Sequence, residues 1–368
     1  MEKRILLSTP TMHGEEQVFV KEAFDTNWIA PLGANVDSFE NEMAAYIGVK
    51  SGAACVSGTS ALFLAYKLAG VKPGDTVLCS DMTFAATVNP VYYLGGKQVF
   101  VDSEYETWNM SPEALDEGFK KYPECRVVGL AHLYGTPSKM DEILAVCDKH
   151  DAVLVEDAAE ALSATYKGKQ CGSFGRYAAL SYNGNKIITT SGGGMLLSDD
   201  EEAIRKARFW STQARDPAPW YQHSEIGYNF RMSNVVAGIG RGQLLHLSEH
   251  HTLKQTIYER YKEGLKGLPI SMNPYLEYTE PNFWLSCLLI DKDCDVKPLD
   301  ILNRLNEANI ESRPIWKPMH MQPVYMENDF ISTGVGEDVF HNGLCLPSDI
   351  KMTDEEQRFV IEIIKSCF

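Results

Sequence analysis

No run of 18 apolar residues occurs anywhere in the sequence, and the apolar patch near its start is too short for the core of a signal peptide. Neither a membrane-spanning helix nor a secretory leader is therefore expected. Positive charge is scarce: 34 Lys and Arg against 50 Asp and Glu leave a formal net charge of -16. That balance argues against a nucleic-acid partner, because neutralising phosphates takes Lys and Arg clustered over a broad face. It leaves room for a small anionic ligand, which a few local cations and a helix N-terminus can hold. The nine cysteines are odd in number, scattered, and never spaced C-x-x-C. Reduced structural thiols in a cytoplasmic protein without a metal centre are the expectation. Internal repeats and low-complexity tracts are absent, and Gly192 to Gly194 has neither the spacing nor the position of a dinucleotide-binding G-x-G-x-x-G, which removes a nicotinamide dehydrogenase.

What is present is an ordinary globular composition, 44% hydrophobic and 23% charged over 368 residues, enough to bury a sizeable core in two domains. From about residue 50 to 200, short apolar runs alternate with amphipathic stretches, the pattern of an α/β fold with a doubly wound sheet. Strands are expected at 76–80, 98–101, 126–131 and 152–156, with helices at 60–69, 83–94, 112–121 and 140–150. A long helical stretch from 243 to 268 is followed by a strand at 283–290, a helix at 297–309 and a closing helix from Thr353. The boundary falls near 250, giving a large domain over 1–250 and a smaller C-terminal domain over 251–368. In open α/β sheets ligands bind beyond the carboxyl ends of the strands, which brings Asp157, Ser57 to Thr59, and Thr83-Phe84 towards one place.

Lys186 is the residue around which the chemistry collects. It sits in Ser181-Tyr-Asn-Gly-Asn-Lys186-Ile-Ile-Thr-Thr-Ser-Gly-Gly-Gly194, a stretch with no helical amphipathicity. A lysine is ordinarily a surface residue. Here Ser181, Asn183 and Asn185 offer hydrogen bonds and the glycines allow close backbone approach, which suits a Schiff-base lysine holding a phosphorylated, carbonyl-bearing cofactor. Ser57-Gly58-Thr59-Ser60 opens an apolar helix and reads either as a simple N-cap or as a phosphate cradle. Asp157 ends an apolar strand, so it needs a cationic partner. A pyridinium N–H is one, and an aspartate there is a mark of pyridoxal phosphate sites; a capping or metal-binding Asp is the alternative. Phe84 reads equally as a ring stacked on a flat cofactor or as helix packing. Arg231, Arg313, Lys317 and His320 read as anion contacts or as surface ion pairs.

Taken together, Ser57-Gly-Thr-Ser60, Thr83-Phe84, Glu156-Asp157-Ala-Ala-Glu160, the Lys186 segment and Gly227-Tyr-Asn-Phe-Arg-Met-Ser-Asn234 resemble the DegT/StrS family of nucleotide-sugar aminotransferases over nearly the whole chain. The resemblance implies a pyridoxal phosphate fold type I architecture like that of aspartate aminotransferase: a large domain with a mixed, mostly parallel sheet, a small C-terminal α/β domain, and active sites at a homodimer interface. It implies that Lys186 forms the Schiff base, that Asp157 meets the pyridine nitrogen, and that Gly58, Thr59, Ser60 and Ser181, with Asn183 nearby, surround the phosphate. Phe84 would stack on the ring and Asn229 would reach the phosphate of the partner subunit. Glu160 stands where the family often has Gln or His near the cofactor hydroxyl.

The Lys186 segment, with Asn27-Trp28-Ile-Ala-Pro-Leu-Gly33 and Arg313-Pro-Ile-Trp-Lys-Pro-Met-His320, looks most like the branch aminating C4 of UDP-4-keto-6-deoxy-N-acetylhexosamines for bacillosamine-type glycan or exopolysaccharide synthesis. That implies L-glutamate as amino donor and Trp28, Arg231, Arg313, Lys317 and His320 as substrate contacts. The alternatives are a C3 or dTDP-sugar aminotransferase and a non-catalytic nucleotide-sugar-binding regulator on the same scaffold. A sugar dehydratase is disfavoured because the lysine is present.

Overall fold

The computed structural model describes residues 4–368. Its centre is an eight-stranded sheet in the order Ser51–Cys55, Gly194–Ser198, Tyr177–Ser181, Val153–Asp157, Val127–Ala131, Thr76–Ser80, Lys97–Val101, Phe330–Ile331. Gly194–Ser198 runs antiparallel to both neighbours and every other pairing is parallel. The strands read as short apolar runs because helices cover both faces. Val127–Ala131 is buried along its whole length, as expected when a parallel strand lies between layers.

Local chemistry explains most helix boundaries. Ser111 caps Pro112–Lys121 by accepting from the Ala114 amide at 3.2 Å, and Pro112 occupies the first turn, where its missing N–H costs nothing. Thr353 and Glu356 form a reciprocal capping box at the start of Asp354–Lys365. Two expectations needed correction. The continuous helix over 83–94 is instead a single 3-10 turn, Ala85–Thr87, and a short helix, Asn89–Tyr93, because Phe84 is extended and Pro90 cannot donate to a preceding turn. The stretch from 243 is two helices, Asn234–Leu244 and Leu247–Gly264, parted at Leu245-His246. Two N-terminal helices, Glu15–Asp25 and Ala34–Ile47, were not foreseen; they pack on Asn234–Leu244.

Beyond 250 a four-stranded antiparallel sheet forms from Ile270–Met272, Cys287–Ile290, Gly343–Cys345 and Arg313–Pro314. The chain crosses the 250 boundary in both directions. Ile5 bridges Ile310 and packs with Ile257, Leu288 and Ile361, while Phe330–Ile331 extends the large sheet beside Lys97–Val101. No helix among the described residues is long and apolar enough to cross a membrane.

Candidate active site

The parallel strands end on one edge, and their last residues and following loops line a cavity of about 320 Å3, within the size range of small-molecule sites. Asp157 is the final residue of its strand, Ser181 the final residue of the next, and His132 follows Val127–Ala131. Ser57 follows Ser51–Cys55, Gly194 opens the antiparallel strand beside it, and Thr83 and Phe84 follow Thr76–Ser80. The elements must approach closely here. An ideal Cβ on Gly194 would lie 2.4 Å from the Gly58 amide nitrogen, and one on Gly58 would lie 3.0 Å from Ser181 Cβ.

Ser57 caps the helix Gly58–Leu68 by accepting from the Ser60 amide at 3.0 Å, with its hydroxyl 2.5 Å from that of Ser60. The Gly58 and Thr59 amides, at the positive end of this helix, point into the cavity without an intramolecular acceptor among the described residues, the arrangement that holds a phosphate.

Deeper in, Asp157 Oδ2 accepts from Thr87 Oγ1 at 2.6 Å and Oδ1 from the Ala159 amide at 3.0 Å. Burial raises its pKa, while these donors and the charge of Lys186 pull the other way. Glu160 is raised for the same first cause, and its Oε2 accepts from the Tyr134 amide at 2.8 Å. Lys186 Nζ lies 3.1 Å from Glu160 Oε1 and 4.1 Å from the centroid of the Trp284 ring. Lys186 thus pairs directly with Glu160, while its charge also acts on the nearby buried Asp157. Phe84 and Trp316, with ring centroids 5.4 Å apart, stand at the mouth.

His132 is also in the wall. Its Nδ1 lies 3.1 Å from the Ser138 amide nitrogen and its Nε2 lies 2.9 Å from Glu156 Oε1; burial lowers its pKa, but Cys171 and Glu156 outweigh burial and raise it to about 10. Glu156, Cys171 and His132 cluster in a way that could suggest a metal. Both Glu156 oxygens are already used, however, by His132 and by the amides of Gly172, Phe174 and Gly175.

Of the expected cofactor residues, Gly58, Thr59, Phe84, Asp157, Glu160, Ser181, Asn183 and Lys186 line this one cavity, and Ser60 supports it from beneath. Asn229 does not; it is exposed and bridged to Thr212. The substrate candidates fare differently. Arg231 is buried in an ion pair with Glu40, which Arg208 also holds, so it is a structural cation rather than a free anion contact. His320 is committed to Asp81 at 2.7 Å and stacked on Phe330, and Arg313 pairs with Glu311 at 3.0 Å outside the cavity. Lys317 lines a neighbouring cleft beyond Phe84 and Trp316. Trp28 is exposed in a separate groove with Glu22, Leu32 and Asn234. Sequence reasoning missed Trp284, Trp316, Thr87 and His132. Trp284 comes from a stretch that no local motif marks, and Trp316 lies within the Arg313 to His320 segment, where the charged residues rather than the indole drew the reading.

A lysine and a strand-end aspartate below a helix N-terminus, at one edge of a mixed α/β sheet, define a fold type I pyridoxal phosphate enzyme. The donor set fits that cofactor: amides for the phosphate, Asp157 for a pyridinium, and Lys186 for the carbonyl carbon. The model of the DegT/DnrJ/EryC1/StrS aminotransferase family matches residues 10–365, and the chain belongs to this family. It is a pyridoxal-phosphate-dependent nucleotide-sugar aminotransferase. The chain is 50% identical to the "Putative pyridoxal phosphate-dependent aminotransferase EpsN" of Bacillus subtilis, over 100% of this chain and 97% of that protein. It is 35% identical to GDP-perosamine synthase of Caulobacter vibrioides over 96% and 95% of the two chains. In fold it is similar to the pyridoxal phosphate form of the sugar aminotransferase Spr1654 of Streptococcus pneumoniae, with a TM-score of 0.93 at 24% identity over 99% and 98% of the two chains.

Proposed function

We propose that this enzyme moves the amino group of L-glutamate to C4 of a UDP-4-keto-6-deoxy-N-acetylhexosamine, working as a homodimer with shared sites. Pyridoxal phosphate, when bound, supplies the electron sink through which the amino group is carried from donor to acceptor. The protein's part is to hold that group and to move protons. The Gly58 and Thr59 amides and the Ser57 and Ser181 hydroxyls fix the phosphate end. Asp157 would be the partner of a pyridine nitrogen and would favour its protonated form, with Thr87 and the Ala159 amide holding the Asp157 side chain in place. Lys186 Nζ is the base that takes the proton from the amino-acid Cα and returns one to the sugar carbon. Glu160 receives the ammonium formed there. Water is kept off these steps by Phe84, Trp316 and Trp284.

The observation that carries the reading is the convergence of Lys186, Asp157, Glu160 and the free helix amides in one cavity. The choice of C4 and of UDP rests on the resemblance of the Lys186 segment to that branch. A second reading, a GDP-linked 4-keto sugar, is favoured by GDP-perosamine synthases of three organisms, 31 to 35% identical over 96 to 100% of the chain. Incubation with glutamate and a panel of UDP-, GDP- and dTDP-4-keto sugars, read by mass, decides between them. Amination of the GDP sugar alone would replace the first reading by the second. Lys186→Ala should lose the visible cofactor band and nearly all turnover; retention of both would overturn the assignment of that lysine.

A further inference from the structure

The indole of Trp284 is held with unusual completeness for a single aromatic residue. Its amide donates to Asn282 Oδ1 at 2.9 Å, its indole N–H donates to the Asn185 carbonyl at 2.7 Å, and its own carbonyl accepts from Lys254 Nζ at 3.1 Å. Only 2% of its surface is exposed. Each tether leads back to the reacting groups. Asn185 precedes Lys186, so the indole N–H also fixes the backbone from which the lysine projects. Asn282 donates through Nδ2 to the carbonyl of Glu160 at 2.6 Å and to that of Leu162 at 2.9 Å. The same asparagine therefore sets both the indole and the loop bearing the carboxylate that pairs with Lys186. Gly135 is left-handed at φ 86°, and a Cβ there would fall 1.7 Å from Asn282 Oδ1, so the chain gives up a side chain to seat this amide. Lys254, fully buried on Leu247–Gly264, ties the Trp284 carbonyl to Ser8 at 3.1 Å and to the Ser348 carbonyl at 2.5 Å.

We infer that Trp284 is a positioning residue for Lys186, presenting the face of its indole to the ε-nitrogen and favouring positive charge there while the proton is in transit. The inference rests on Lys186 being the reacting lysine. The charged and titratable groups around that nitrogen are Asp157 at the end of Val153–Asp157 and Glu160 in the loop that follows, with His132 in the cavity wall and the Trp284 ring over the nitrogen; Lys254 acts through the Trp284 carbonyl. A ring face within about 6 Å of a cation attracts it, most strongly in a desolvated site.

The test is a pH titration of the visible band of the cofactor-loaded protein in wild type, Trp284→Phe, Trp284→Met and Trp284→Leu, with thermal unfolding of each. Phe keeps a ring face, and its midpoint should stay within a few tenths of a unit of wild type. Met and Leu remove the face, and the midpoint should fall by roughly half to one unit, with kcat reduced about tenfold or more and KM for glutamate little changed. Met fills more of the volume than Leu and serves if Leu does not fold. An unshifted midpoint in Met, or a shift in Phe as large as in Met, overturns the inference and leaves Lys186 in its role. Absence of a lysine-dependent band in wild type would instead overturn the reading of Lys186 itself.

Discussion

At the scale of the residue, charge and burial pull against each other in this site, and the balance makes predictions. Burial raises the Asp157 pKa and favours the neutral form, while Thr87, the Ala159 amide and the charge of Lys186 pull it back towards the carboxylate. Asp157→Asn preserves the size and most of the hydrogen bonding while removing the charge. The glutamate half-reaction should slow by about 10²- to 10³-fold, the scale of losing one preorganised charge contact, as read by stopped-flow absorbance. Lys254 shows the opposite sign. Burial pushes its pKa down to about 7 from 10.5, so between those values the unfolded chain holds a proton that the folded chain does not. Stability therefore rises with pH through that window and is flat below it, by roughly 1.4 kcal/mol per unit of separation at most. Lys254→Met should remove that slope in unfolding measurements between pH 7 and 10. Arg231 carries a different lesson: a cation beside an active-site motif proved to be the buried partner of Glu40. No feature of its neighbours in sequence reveals a glutamate 191 positions away.

Helices and strands were legible where their cause is local. Ser111-Pro112 and Thr353 with Glu356 announce their helices, and those elements begin where expected. The stretch over 83–94 looks helical by periodicity, yet its placement over Asp157 demands an extended Phe84 and a bend that lets Thr87 reach the carboxylate. Tertiary need there outweighed a weak local preference. The junction of Ser57, Gly58, Ser181 and Gly194 is likewise a property of packed elements. Gly194→Ala would set a Cβ against the Gly58 amide, displacing the helix N-terminus proposed to hold the phosphate. Titration with pyridoxal phosphate should show affinity reduced at least tenfold, whereas Gly168→Asn, at an open left-handed turn that asparagine tolerates, should leave it near wild type.

For the whole molecule, the cavity of one chain holds two carboxylates and a single lysine among its lining residues, while the substrates proposed for it are anionic. Asn229 is exposed and not part of its own cavity's lining, and Trp28, Trp220 and Tyr221 are exposed as well. This matches a dimer in which each chain completes its neighbour's site. Mixing Lys186→Ala with Asn229→Ala under conditions of subunit exchange should then recover activity that neither variant shows alone. Failure to recover any, with exchange verified by mass, would mean that each chain works by itself.

What the sequence determined by itself was the α/β class, the strand-end position of Asp157, the capped turn at Ser57 to Ser60, and Lys186 as the candidate around which the proposed chemistry is built. All four depend on patterns within a few residues, where hydrophobic period, capping and glycine content act directly. Tertiary structure alone decided that Glu160 would pair with Lys186, that Trp284 would lie over it, that Thr87 would hold Asp157, and that Arg231 and His320 would be consumed in ion pairs. Those contacts join residues tens to hundreds of positions apart, and their partners are set by how the sheet edge, the long helix and the C-terminal strands close on one another.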